Sequence, residues 1–383
     1  MEPAKILILG GYGQTGQMIA RLLLQETPVS IILAGRDEQK ALLTAYYFNQ
    51  IFPGNRVTAV MADAAKPETL IPLFQGIRLV LVASSTSVYT KQVAKAAVQT
   101  GADYMDIHFG PSGHRELLFM KDEIFSAGRC FISGGGFHPG LPAAMIRYSA
   151  LQFDQLQKAI CSGVMKIDFS TYNASPATRR EFVEELADFN PLYYKAGRWK
   201  KMNYITGRGM KRIDFGKKYG RKLCSPLLFE EIRPLPEHMQ SLTDMGFYIA
   251  GFNWFTDYFI FPFMMLVQKI FGKKLNGPLS RLMVWSMKTF SRPPYGYLMK
   301  LEAEGLSAGL LKKWEMVISH TDPAFITAAP VVACLKQYLE NPKQIPGLYL
   351  QALYVEPSRF FHDCRSMGMD ISSGMVNTDA GQP

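Results

Sequence analysis

The sequence predicts an α/β protein: an N-terminal doubly wound parallel sheet, followed by a second α+β domain with a mainly antiparallel sheet. Three observations predict it. Short, uniformly apolar runs alternate with amphipathic segments early in the chain, as in a parallel sheet covered on both faces. From Gln157 to Thr171 the pattern changes to strict period-two alternation, the mark of a one-sided antiparallel sheet. At 383 residues the chain is too long for one ordinary core.

The stretch from Lys5 to Arg36 organises the rest. Ile6-Leu7-Ile8-Leu9 reads as a buried strand that runs into Gly10-Gly11-Tyr12-Gly13-Gln14-Thr15-Gly16. Gly11, Gly13 and Gly16 satisfy G-x-G-x-x-G: one glycine for the tight turn, one for close approach of backbone to a pyrophosphate, one for helix against sheet. The following helix carries Met18, Ile19, Leu22 and Leu23 at helical spacing and ends before Pro28, so its N-terminus faces the turn as an anion site. The second strand, Ser30 to Leu33, leads to Arg36, where a Rossmann unit meets the adenosine ribose. A guanidinium there pairs with a 2′-phosphate and an acid would repel it, so NADP is favoured over NAD. The alternative is a solvated arginine beside Asp37.

A helix from about Glu38 to Phe48 then leads to strand Arg56–Val60, and a short helix from Pro67 to Phe74 precedes the buried strand Leu79–Ala83. Ligands bind at the carboxyl ends of such strands. Asp63 is therefore expected near adenine, and Ala83, Ser84 and Ser85, with Thr86, near the nicotinamide; ordinary strand-end turns would use the same residue types. A helix Thr90–Gln99 closed by Gly101 feeds strand Asp103–His108, a further helix runs to about Ser126, and strand Arg129–Ser133 precedes the Gly134–Pro142 hinge. A helix from Ala143 to Leu151 opens the second domain, where Tyr297–Ala303 and Trp314–Ile318 repeat the period-two habit. Ser175-Pro176 and Asp322-Pro323 open helices reaching about Asp188 and Leu339. The expected domains are 1–140, 141–345 and a segment 346–383 that packs back on the first, with a disordered tail from about 371.

The formal charge is +10 and the isoelectric point near 9.2. Much of the excess lies between Lys195 and Lys222, where Asp214 stands alone among bases interleaved with Trp199, Tyr204, Phe215 and Tyr219. No nucleic-acid fold signature accompanies them, so a basic flap or an anion-facing surface is expected. Met245 to Phe290 is rich in aromatics, but Asn253, Asp257, Pro262, Gln268 and Lys269 interrupt it too often for a membrane span. It reads as a helical insertion, at about 240–292, that covers a cleft or packs a homodimer. With Lys269, Lys273, Lys274, Arg281, Lys288 and Arg292 it would also suit the surface of an anionic membrane. The chain enters its first strand without room for a signal peptide, and its five scattered cysteines suggest reduced thiols, a cytoplasmic setting and no metal site.

With these segments placed, the chain resembles the saccharopine dehydrogenase-like oxidoreductases over nearly its whole length. The likeness is carried by Gly10–Gly16 with Leu33–Arg36, by Ala96–Asp106, by Gly136-Phe137-His138-Pro139-Gly140-Leu141, and by the tail from Pro346 to Gly368 with Phe360 and Phe361. The resemblance implies an NADP(H)-dependent oxidoreductase with a Rossmann domain, a mixed α+β domain and a cleft between them. His138 stands where the amino-acid-forming members carry aspartate. Pro142-Ala143 replaces their acidic and histidine positions, and His108-Phe109 departs from their usual pattern. Those departures argue against saccharopine and, with an aromatic insertion similar to the lipid-associated branch, for a hydrophobic substrate.

Hydride transfer to a C=O, C=N or activated C=C bond needs one group to carry a proton, and the candidates are His138, His108 and Asp106. Asp106 could equally cap a turn, and His138 could pack beside Pro139. His362-Asp363-Cys364 lies on one helix and cannot form a triad. His114, His238 and His320 lack a surrounding chemical pattern. A non-catalytic NADP-binding regulator or membrane-associated assembly protein is the competing expectation.

Overall fold

The structure, a computed structural model, describes residues 3–168, 178–179, 181, 190–203, 206–341 and 344–376. The helix expected from Ser175 to Asp188, apart from isolated positions, lies outside them, as do Tyr204 and the side chain of Lys273. The chain divides into two units, Met1–Leu141 with Ala324–Met367, and Pro142–Pro323 with Gly368–Pro383.

The first unit is built on parallel strands β1 (Lys5–Leu9), β2 (Ser30–Gly35), β3 (Val57–Met61), β4 (Leu79–Val82), β5 (Asp103–Asp106) and β6 (Cys130–Ser133), with Gly347–Leu350 (β15) returning beside β6. Their spatial order is β15-β6-β5-β4-β1-β2-β3. β1 beyond Lys5 and β4 are apolar throughout because helices cover both faces, whereas β5 begins and ends on a buried aspartate. Leu7, Leu9, Val80, Val82, Tyr104 and Phe131 pack with Leu70 and Phe74 of helix α3 (Pro67–Phe74) and with Val93 and Ala97 of α4 (Thr90–Thr100). Gly101, at φ +73°, ends α4 in the left-handed conformation that costs glycine nothing. The helix expected to reach Ser126 is broken at Met120 into α5 (Pro111–Phe119) and α6 (Lys121–Ser126).

A buried polar chain ties the amino ends of these strands to the helix Pro323–Glu340, which belongs to this unit. Asp103 accepts from the Cys130 backbone N–H at 2.9 Å and from the Tyr338 hydroxyl at 2.6 Å, and Tyr338 accepts from Arg78 Nε at 3.0 Å.

The second unit holds β7 (Gln155–Lys166), β8 (Leu192–Lys195), β9 (Arg198–Lys201), β10 (Lys211–Asp214), β11 (Arg221–Pro226), β12 (Asp244–Ala250), β13 (Gly296–Ser307), β14 (Leu310–His320) and β16 (Asp370–Val376). The main order is β10-β11-β12-β7-β13-β14-β16. Among the described residues, only the β12–β7 strand pair is parallel and the other strand pairs are antiparallel.

Three expectations are corrected here. The alternation along β7 does not mark a solvated face: Ala159 through Val164 are all buried, because β7 is central, with Tyr193, Ile213, Phe215 and Tyr219 among the residues on one side and helix α7 (Pro142–Ala150) packed against it. The basic stretch is part of the sheet, not a free flap, and Phe215 and Tyr219 point into its core. The tail does not lose structure at 371, since β16 pairs with β14 through Val376.

The aromatic insertion starts later than its composition suggests, because Met245, Phe247 and Tyr248 are core residues of β12. From Gly251 the chain forms a helical hairpin, Phe261–Phe271 and Asn276–Phe290, around Ile260, Met264, Leu279, Met283 and Met287. Its outer surface leaves Trp254, Tyr258, Phe259, Ile270 and Trp285 at least half exposed. Among the described residues no helix is long and apolar enough to cross a membrane.

Candidate dinucleotide site

In the first unit β1 lies between β2 and β4, where the strand order reverses and the carboxyl edge of a doubly wound sheet opens. The glycine turn leaves β1 there and enters α1 (Gln14–Glu26). Gly10 takes φ +84° and fits so closely against β4 that a Cβ would lie 2.7 Å from the Ser84 Cβ. A Cβ on Gly11 would lie 2.8 Å from a Leu33 methyl, and one on Gly16 would strike the Gly10 carbonyl. Gly13 is different. Its added Cβ would meet the Gly10 carbonyl alone, at 3.2 Å, so the turn is open on that side.

Gly13 is also the N-cap of α1, and no side chain caps the helix. The first-turn N–H groups of an α-helix have no partner inside it, so those of Gln14, Thr15 and Gly16 present the positive end of the helix dipole at the open side of the turn. Tyr12 is structural. Its ring packs on Gly35, its hydroxyl accepts from the Asp37 N–H at 3.1 Å, and its carbonyl accepts from Gln17 Nε2 at 2.7 Å.

At the end of β2, Arg36 is exposed. It does not pair with Asp37, because Lys40 takes that carboxylate at 2.8 Å and the Lys40 N–H donates to it at 3.1 Å. Those contacts hold Asp37 below the usual carboxylate range. Arg36 thus stands outside that pair, and Lys40 offsets the acid next to it. Lys40 was legible in principle, as the i+3 partner of Asp37 on a helix surface. Asp63 accepts from the Ala65 N–H at 3.1 Å, an ordinary turn contact, and the hydroxyls of Ser84 and Thr86 lie 3.0 Å apart at the end of β4 beside Ala83 and Ser85.

The histidines lie along the same carboxyl edge. β5 stops at Asp106, not at His108, because the Asp106 carboxylate accepts from the His108 N–H at 3.2 Å and from the Gly134 N–H at 3.1 Å. One buried side chain thereby fixes the ends of both β5 and β6. His108 is buried, and neither ring nitrogen has a hydrogen-bond partner among the described residues. His138 follows on the next loop, with the Phe109 and Phe137 rings at 5.6 and 4.9 Å. Burial pushes its pKa down to about 4, so the ring is neutral at pH 7. It is therefore no imidazolium acid poised near neutrality, as an ordinary histidine would be.

The loop carrying His138 is held from a distance. Gln351 is buried, accepts from the Gly136 N–H at 3.3 Å and donates to the Gly136 carbonyl at 3.4 Å. Nothing in the sequence pairs these positions.

Residues 6–132 match the saccharopine dehydrogenase NADP binding domain family. That match is to an NADP-binding domain and spans about a third of the chain. The geometry fits NADP: an uncapped helix end beside an open glycine suits a pyrophosphate, and an exposed arginine outside the Lys40–Asp37 pair suits a 2′-phosphate. Among solved structures, the chain is similar to apo saccharopine dehydrogenase (L-Glu forming) from Saccharomyces cerevisiae, with 13% identity and a TM-score of 0.67 over 98% of this chain and 100% of that one. That likeness shows the fold. A diaminopimelate dehydrogenase from C. glutamicum in complex with DAP aligns over 96% of this chain and 100% of its own, at 11% identity and a TM-score of 0.46. A search of curated protein sequences found no match. Among the described residues no cluster of His, Cys, Asp or Glu could hold a metal ion.

Proposed function

We propose that the protein transfers hydride between NADP(H) and a C=O, C=N or activated C=C bond of a small, predominantly apolar substrate. The observation that carries the cofactor half is the open, uncapped amino end of α1 beside Arg36 and Lys40. The apolar character rests on Phe109 and Phe137 around His138. NADP, when bound, supplies the hydride chemistry.

The chain supplies position and a proton. Gly11 to Gly16 receive the pyrophosphate on backbone N–H groups, Arg36 pairs with the 2′-phosphate, and Asp63 borders the adenine. Ala83, Ser84 and Ser85 line the nicotinamide end. His138, neutral at pH 7, accepts the proton of a substrate hydroxyl in the oxidative direction, and in the reductive direction the imidazolium, protonated from solvent, returns it to the substrate. His108 stands as the second imidazole, and Asp106 acts as a positioning residue by fixing the backbone at both.

The test is oxidation of NADPH by alkyl aldehydes and ketones, cyclic imines and enoyl thioesters, compared with zwitterionic amino-acid substrates. Turnover confined to the apolar compounds is expected. Tight NADPH binding with no turnover of any class would contradict the reading.

We further propose that the hairpin of the second unit rests on an anionic membrane surface, on the strength of its exposed aromatics and of six basic residues against the single acid Asp257 between 251 and 292. Co-flotation with vesicles containing anionic lipid, weakened in a Lys269→Gln, Lys274→Gln variant, is the expected result; equal flotation with neutral vesicles would contradict it.

A further inference from the structure

At the root of that hairpin lies a cleft of about 400 Å³, lined by residues of the second unit alone. Its walls carry two kinds of group. Lys166 at the end of β7, Lys222 in β11 and Arg292 just past the second helix supply positive charge; Val164, Phe252, Trp254 and Phe290 supply apolar surface.

Among the described residues none of the three cations forms an ion pair, and Arg221, next to Lys222, takes Asp214 for itself. Burial and then the neighbouring Lys222 hold the Lys166 ammonium below its ordinary pKa. Asp257 packs on Gly251 and accepts from the Phe252 N–H at 3.0 Å, and burial raises its carboxyl pKa to about 6, with Lys222 a weaker opposing influence. Arg292 is fixed at the rim by donating to the Thr289 and Ser291 carbonyls at 2.9 and 3.0 Å.

A second observation points the same way. Asn253, in the cleft wall, spends its side-chain oxygen on the Thr256 N–H at 2.9 Å, and its buried Nδ2 has no hydrogen-bond partner. A buried donor left without an acceptor is costly unless a ligand supplies one. Beside it, Trp254 and Phe290 lie 5.8 Å apart, ring edge to ring face, and continue into the exposed aromatic surface. Three unpaired cations and an orphan donor ask for anionic oxygens, and the aromatic wall asks for hydrocarbon joined to them.

We propose that this cleft binds the head and first carbons of a single-chain amphiphile whose head carries anionic oxygens. It rests on the proposed membrane contact for the source of the ligand, not for the site, so the two readings can fail separately.

The test uses the full chain and monomeric probes below their micelle concentrations, followed by tryptophan fluorescence: dodecyl phosphate, dodecanoate, inorganic phosphate and the uncharged dodecyl maltoside. Saturable binding of the alkyl phosphate or carboxylate is expected, weakened about tenfold or more in Lys166→Gln, Lys222→Gln, with NADPH binding unchanged as the control for folding. Trp254→Leu should weaken the amphiphiles while leaving the response to inorganic phosphate as it was. Equal titration of wild type and the lysine variant would overturn the proposal, as would maltoside binding as tightly as dodecyl phosphate. Inorganic phosphate binding as tightly as its dodecyl ester would reduce the cleft to a free-anion site and overturn the amphiphile. Failure here alongside normal flotation would leave the membrane contact standing without the cleft.

Discussion

Lys40, not Arg36, holds the Asp37 carboxylate, at 2.8 Å. An arginine that ended β2 and simply paired with the next residue would carry no cofactor information. Because Lys40 takes the acid, Arg36 remains available for a 2′-phosphate. Arg36→Ala should therefore weaken NADPH by about 10-fold to 100-fold, the cost of one charge-assisted bidentate contact, and leave NADH nearly unchanged. Lys40→Ala should weaken NADPH severalfold by exposing Asp37. Nucleotide titration of the three proteins checks both.

The glycines divide by what surrounds them. A Cβ on Gly16 meets the Gly10 carbonyl, which is backbone and cannot step aside. Gly16→Ala should cost roughly 2 kcal/mol or more of stability. A Cβ on Gly13 has room in the protein and would stand where the pyrophosphate approaches. Gly13→Ala should melt near the wild-type temperature and lose NADPH. Thermal melts beside binding isotherms separate the two; a Gly13→Ala protein that binds normally would remove this turn from the cofactor site.

His138 should make the protein acid-sensitive. Its folded pKa of about 4 lies below the ordinary 6.5, so between those values the unfolded chain holds the extra proton. The stabilisation is fully present above about pH 6.5 and is lost as pH falls towards 4, by up to ~3 kcal/mol. Denaturant melts across that window should show the slope, and His138→Gln should flatten it. In turnover, the same variant should lose on the order of 10² to 10⁴ in rate while still binding NADPH.

Tyr338 tests the anchorage of the helix Pro323–Glu340. Removing its hydroxyl leaves the Asp103 carboxylate and Arg78 Nε each short of a partner, so Tyr338→Phe should cost roughly 1–3 kcal/mol. It should not change the Kd for NADPH, because Asp103 lies at the amino end of β5, away from the carboxyl edge that carries the glycine turn.

The first unit was legible because β1 beyond Lys5 and β4 are uniformly apolar, its helices periodic and its glycine turn short-range: the close contacts of Gly10, Gly11 and Gly16 lie within the turn or on or at the ends of the strands beside it. The second unit was read less well. Alternation on β7 predicted a wet face, whereas a central strand is buried on both sides whatever its pattern, and aromatic composition ran straight from β12 into the hairpin without marking the boundary. The candidate site divides in the same way. Arg36 was legible and its freedom was not, since that depends on which cation takes Asp37. The neutral state of His138 depends on burial, and the grip of Gln351 on Gly136 spans 215 residues, so neither leaves a local signal.

The most direct measurement is titration of the purified protein with NADPH and with NADH, followed by the fluorescence of the reduced nicotinamide. Saturable NADPH binding at least about tenfold tighter than NADH is the predicted result, the worth of one phosphate gripped by Arg36. Equal affinity for the two, or no binding of either, would contradict the account.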